Sequence, residues 1–164
     1  MANYKKISQN REKNIGKQIG GRAHIASGAL WFQKGDVSNE FIIIEDKFTE
    51  KDTYSLSLST INKIDKEGKQ NNKVPIMSIG FQLRKFSIAF VDVNYCKEDL
   101  IAPFVESTKF KSFSIDYDVI KEKYISCFDK YSPIVKVNFT SHNKSYYLFE
   151  WDAFIENLAS TIYY

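Results

Sequence analysis

Apolar and polar positions along this chain alternate between two periods, and the change of period marks out the elements. The run Phe41-Ile42-Ile43-Ile44 followed by Glu45-Asp46-Lys47 reads as a buried strand over residues 41–47. Residues 29–37 predict a strand before it, after a loop at 23–28 and ahead of a turn at Ser38-Asn39. Residues 74–81 and 86–93 predict two more strands, joined by the polar turn Gln82-Leu83-Arg84-Lys85. Residues 133–140 and 145–151 alternate, which predicts a hairpin around Ser141-His142-Asn143-Lys144.

Helical spacing shows in three places. Residues 8–20 carry Ile15 and Ile19 and end at Gly20-Gly21, a left-handed cap. Residues 52–71 place Leu58, Ile61 and Ile64 on one side and Lys63, Lys66 and Lys69 on the other. A last helix opens at Asp152 as N-cap, with Phe154, Ile155, Leu158 and Ile162 on one face. Residues 94–132 show no clear period and read as an irregular or partly helical insertion, with a helix over 117–128. The pattern as a whole predicts one α/β domain, 1–164, with a mixed central β-sheet flanked by helices. Its core spans about 8–93, its variable insertion about 94–132, and its C-terminal hairpin and helix about 133–164.

Composition agrees with a single packed domain. The chain has 164 residues, 43% hydrophobic and 15% aromatic, enough for one core, with disorder expected only in the polar first ten. No apolar run approaches the roughly 20 residues of a membrane span. The stretch 1–17 is polar and basic without an apolar signal region, so the expected location is the cytoplasm, or a host's if the chain is phage-encoded. Two cysteines, Cys96 and Cys127, are too few for a disulfide framework and lack metal-ligand spacing. A net charge of +3 excludes a polycation, yet six of the basic residues lie in 1–22 against the single acid Glu12. Such an arm suits contact with a phosphate backbone.

The chemistry concentrates at Asp36, Glu45 and Lys47. A strand carrying a carboxylate and an ammonium two residues apart places both on one face. A hairpin brings Asp36 beside them. Two carboxylates converging at a sheet edge offer oxygen ligands to a hard divalent cation such as Mg²⁺. A neighbouring lysine orients or deprotonates a water, or neutralises charge building on a phosphate. The combination reads as metal-dependent phosphodiester hydrolysis.

At these residues the chain resembles the PD-(D/E)xK nuclease superfamily, and within it the archaeal and phage-type Holliday junction resolvases. The resemblance is carried by Arg11-Glu12, Gly20-Gly21-Arg22, Ser27-Gly28-Ala29, Lys34-Gly35-Asp36-Val37, Phe41 to Glu45, Lys47, Thr49 and the strand Lys73 to Ile79, over roughly residues 8–93. It departs from the motif in having Gly35 where proline precedes the aspartate. The likeness implies a restriction-endonuclease-like core and metal ligation by Asp36, Glu45 and the Asp46 carbonyl, with Mg²⁺ or Mn²⁺ as cofactor. It implies a further acidic role for Glu12, a phosphate contact for Ser27, and phosphate clamps at Arg22 and Lys34. It further implies a homodimer nicking four-way junctions in DNA recombination or repair. The alternatives are a restriction- or repair-type endonuclease on duplex or branched DNA, and a non-catalytic DNA-binding protein on the same scaffold.

His24 and His142 lack partners for a zinc site or a nucleophilic triad. Tyr146-Tyr147, Trp151 and Tyr163-Tyr164 are able to stack on bases, but aromatics alternating in a hairpin more often fill a core.

Overall fold

The computed structural model describes residues 3–24 and 35–163. Ser27 and Lys34, and most of the strand expected over 29–37, lie outside the described residues.

Two apolar layers sandwich an eight-stranded mixed sheet. Its strands are β1 (Arg22–Ala23), β2 (Val37–Ser38), β3 (Ile42–Thr49), β5 (Val74–Phe81), β6 (Phe86–Asp92), β7 (Phe104–Thr108), β9 (Val135–Phe139) and β10 (Lys144–Glu150). They lie in the order β1-β2-β3-β5-β6-β10-β9-β7, while β4 (Thr53–Ser57) and β8 (Ser112–Asp116) form a separate antiparallel pair. β3 and β5 run parallel, as do β7 and β9; the other contacts in the large sheet are antiparallel.

β5 is buried along its whole length. It is a central strand covered on both faces, which explains a continuous apolar run where a half-exposed strand would alternate. One face of the sheet meets α2 (Leu58–Asn71) and α3 (Tyr117–Ser126), through Ile43, Met77 and Ile79 against Ile61, Ile64 and Ile120. The other meets α1 (Tyr4–Gln18) and α4 (Trp151–Glu156), through Ile42, Ile44 and Ile76 against Ile15, Trp151 and Phe154. A short α5 (Leu158–Thr161) closes the chain. Burying each of these isoleucines contributes about 1.5–3 kcal/mol.

Several elements differ from the sequence reading. α1 begins at Tyr4, so residues expected to be disordered are helical, and Asn3 caps the helix by accepting from the Lys6 amide. Gly20 closes it in the left-handed region, at φ +62. The segment read as the start of a long helix is instead β4: Tyr54 and Leu56 point inward at period two, and the helix starts only after Ser57, whose hydroxyl accepts from the Thr60 amide. The stretch 94–132 is built into the fold, because β7 joins the large sheet and β8 pairs with β4. Glu150, not Asp152, caps α4, accepting from the amides of Asp152 and Ala153. Cys96 and Cys127 are buried and free. Among the described residues no helix is long and apolar enough to cross a membrane.

Candidate active site

Register fixes the centre of the site. β2 pairs with β3 antiparallel, Val37 opposite Ile44 and Ser38 opposite Ile43. Just before Val37, the Asp36 amide also donates to the Ile44 carbonyl, at 2.9 Å, and the charge of Glu45 acts on the Asp36 carboxylate. The Asp36 carboxylate accepts from the Asp46 amide at 2.8 Å. The N–H and C=O of one strand residue point to the same side, so the Asp46 carbonyl also faces the edge where Asp36 lies.

Alternation along β3 sorts its charges between the two faces. Glu45 and Lys47 share the face of Ile43, toward α2, and the Lys47 ammonium donates to Glu45 Oε1 at 2.6 Å. Lys63 on α2 brings a second ammonium to 3.7 Å from the same oxygen. Asp46 faces α1, where Arg11 grips its carboxylate with two bonds, 2.8 Å from Nε and 2.7 Å from Nη2. Gly80 makes room for that grip: a methyl there would lie 2.1 Å from Arg11 Nη1. With its side chain held on the far face, Asp46 has only its backbone groups to offer the site.

Burial, with the charge of Glu45 second, pushes the Asp36 carboxyl up to about 6, although the Asp46 amide and Lys47 pull the other way. Burial pulls the Lys47 ammonium down, but Glu45 and then Asp36 outweigh it and hold it above the ordinary value. Lys47 is therefore a cation at neutral pH, suited to orienting a water or countering phosphate charge and unsuited to taking a proton.

Backbone geometry accounts for the glycine before Asp36. Gly35 adopts φ +71, and its amide donates to Glu67 Oε2 at 2.9 Å. Proline would lack both that φ and that N–H. The departure from the PD motif thus matches the local structure, with a buried glutamate from α2 anchoring the turn.

The remaining expected residues divide. Glu12 lies on α1, accepts from the Ser8 hydroxyl at 2.7 Å, and is near enough for its charge to raise the Asp36 pKa slightly. Arg22 is exposed on β1, opposite Ser38. Ser27 and Lys34 fall outside the described residues. His24 hydrogen-bonds Ser38 Oγ through its ring at 2.8 Å. Tyr146 and Trp151 are core residues.

Two contributors went unread in the sequence. Glu67 was legible as a carboxylate on the apolar stripe of α2, three residues after Ile64. Tyr54 on β4 sits where its hydroxyl feels Lys47, Glu45 and Asp46, and burial first of all raises its pKa.

Among the described residues no three His, Cys, Asp or Glu side chains gather into a metal cluster. Mg²⁺ needs no such cage: it keeps several waters and takes one or two carboxylates. Two carboxylates in mutual repulsion, with a backbone carbonyl directed to their edge, fit that demand.

No protein-family model and no curated protein matches the chain. Among solved structures it is similar to Hjc, a Holliday junction resolvase of the archaeal hyperthermophile Archaeoglobus fulgidus, with a TM-score of 0.46 and 16% identity. The match covers 67% of this chain and 87% of that one.

Proposed function

We propose that this protein is a metal-dependent endonuclease that hydrolyses DNA phosphodiesters at Asp36, Glu45 and Lys47, with four-way junctions as its preferred substrate. One observation carries the reading: the Asp36 carboxylate, under the charge of Glu45, accepts from the Asp46 amide at 2.8 Å, and Lys47 lies on the Glu45 face, 2.6 Å from its carboxylate. A surface ion pair would not need a half-buried aspartate forced up to about 6 beside a second carboxylate. Perturbation of that kind accompanies sites built for chemistry.

Asp36, Glu45 and the Asp46 carbonyl would hold the cation, and Glu12 on α1 would bind a second ion or one of its waters. A bound divalent ion supplies Lewis-acid polarisation of the phosphate and a more acidic water. Lys47 orients the attacking water and counters the charge that develops as the water oxygen bonds to phosphorus and a bridging P–O bond breaks. The proton leaves to bulk solvent, and the departing oxygen takes one up. Arg22, Lys34 and Ser27 would hold flanking phosphates. Such contacts fix position and carry little base readout. Paired nicks in strands related by a twofold axis call for an isologous dimer, so the working form is a homodimer.

The test compares a labelled four-way junction with a matched linear duplex in Mg²⁺, using wild type and Asp36→Asn. Symmetric paired nicks confined to the junction and lost in the variant support the reading. Equal cutting of both substrates leaves a general nuclease. No cutting by pure wild type in Mg²⁺ or Mn²⁺ removes the catalytic assignment and leaves a DNA-binding protein.

A further inference from the structure

Just before the first residue of β3, at the end away from Lys47, a cavity of about 600 Å³ opens to solvent. It is lined by the aromatic residues Phe41, Tyr95 and Tyr163, by Lys69 and Lys73, the latter also donating to Ser38 Oγ at 3.3 Å, and by one acid, Glu40. Tyr163 is 51% exposed, in a chain that buries Phe81, Phe90, Phe139, Phe149 and Phe154 almost completely. Aromatic residues gathered with lysines match a ligand that has both a flat aromatic face and a phosphate.

The local backbone removes one obstacle to an anion. The C-terminus of a helix repels negative charge through its free carbonyls. At α2 the carbonyls of Gly68 and Lys69 are taken by the amides of Lys73 and Asn72, with Asn72 in the left-handed region at φ 55. Lys69 and Lys73 then decide the sign of the field. Glu40 offers an acceptor to an N–H on the edge of a base.

The cavity is also in line with the candidate active site. Phe41 precedes Glu45 by four strand residues, about 13 Å, or about four nucleotides at a rise of about 3.4 Å each. α2 runs between the two places. Lys63 stands beside Glu45, Lys66 follows, and Lys69 reaches the cavity.

We propose that this cavity takes one unpaired nucleotide of the DNA, its base against the rings of Tyr95 and Tyr163 and its phosphate on Lys69. The inference rests on the nuclease reading for the identity of the nucleic acid and adds a substrate feature to it. A branch with an unpaired nucleotide about four positions from the cut phosphate becomes the favoured substrate.

Binding without cleavage separates this proposal from the catalytic one. In EDTA, fluorescence anisotropy would follow a short labelled oligothymidylate and an abasic strand of equal length. The wild type is expected to hold the thymine strand about tenfold more tightly, within the range of base–aromatic stacking. Tyr163→Ala should abolish that preference with abasic affinity and melting temperature unchanged, since its ring is half exposed. Lys69→Glu should weaken both strands. Equal affinity of wild type for the two strands, no binding of either, or a base preference that survives Tyr163→Ala would overturn the pocket. Base-dependent binding by a protein that never cuts DNA would sustain the pocket and defeat the nuclease reading.

Discussion

Replacing Asp36 with asparagine should abolish cleavage and, above pH 6, make the protein more stable. In the fold the Asp36 carboxyl is raised from its ordinary 3.8 to about 6, by burial first and by Glu45 second. The folded state therefore keeps that proton to higher pH than the unfolded chain does. Between pH about 4 and 6 folding binds protons, so the stability contributed by this group falls as pH rises through that window. Above pH 6 the folded state carries the full penalty, about 3 kcal/mol at roughly 1.4 kcal/mol per pH unit. Asparagine mimics the protonated acid: its amide oxygen can still accept from the Asp46 amide, a bond of 2.8 Å in the wild type, and it does not titrate. Urea denaturation in EDTA at pH 4 and pH 7.5 measures the difference. The variant should match wild type at pH 4 and exceed it by about 3 kcal/mol at pH 7.5, or about 6–12 °C in Tm for a chain of this size. A variant no more stable than wild type at pH 7.5, or equally more stable at both pH values, would refute this account of the site's electrostatics.

Two other substitutions test the scaffold around the site. Arg11→Ala leaves the Asp46 carboxylate, 1% exposed, without its bidentate partner; the loss should be about 3–5 kcal/mol in urea denaturation, and the Arg11→Ala/Asp46→Ala double variant should recover much of it. Strictly additive losses would show that the pair is not coupled. Gly35→Ala places a methyl 2.5 Å from Ile43 at φ +71, so a loss of about 2 kcal/mol or more in the same assay should accompany reduced cleavage. Gly35→Pro should be worse, because it also deletes the amide that Glu67 accepts, and a fully stable Gly35→Pro would contradict the turn described here.

Much of the site was legible because its parts are close in sequence. Glu45 and Lys47 share a strand, and a short hairpin carries Asp36 back to them, so period-two reasoning placed all three. The central strands β3, β5 and β6 were legible for a related reason, being long apolar runs. What escaped depends on distant pairing. β4 and β8 are short, half-exposed strands that meet only each other across more than fifty residues, and β7 is an edge strand whose polar residues break the apolar pattern. Ser57 concealed β4, because Leu58, Ile61 and Ile64 extend backward into it without a break in apolar spacing. Arg11 and Glu67 were present in the sequence, but their partners, Asp46 and the Gly35 amide, are 35 and 32 positions away. No local period reports such contacts.

The division of labour along Glu45-Asp46-Lys47 follows from the same alternation. A strand that slipped by one residue would turn Asp46 toward α2 and bury Glu45 and Lys47 against α1. Apolar patterning alone resists that slip weakly here, because Ile42, Ile43 and Ile44 are buried on both faces and would pack almost as well exchanged. Charge specifies what shape does not. Arg11 can satisfy a carboxylate only on the α1 face, and Gly80 gives its guanidinium the space to lie there. Slippage one way would set Lys47 against Arg11, like charge on like, and slippage the other way would set Glu45 there, a longer side chain in the space the Asp46 carboxylate fills. The Arg11–Asp46 pair therefore fixes the register that keeps Glu45 and Lys47 on the reactive face. An aspartate that turns only its backbone to the candidate site still holds that site in place through its side chain.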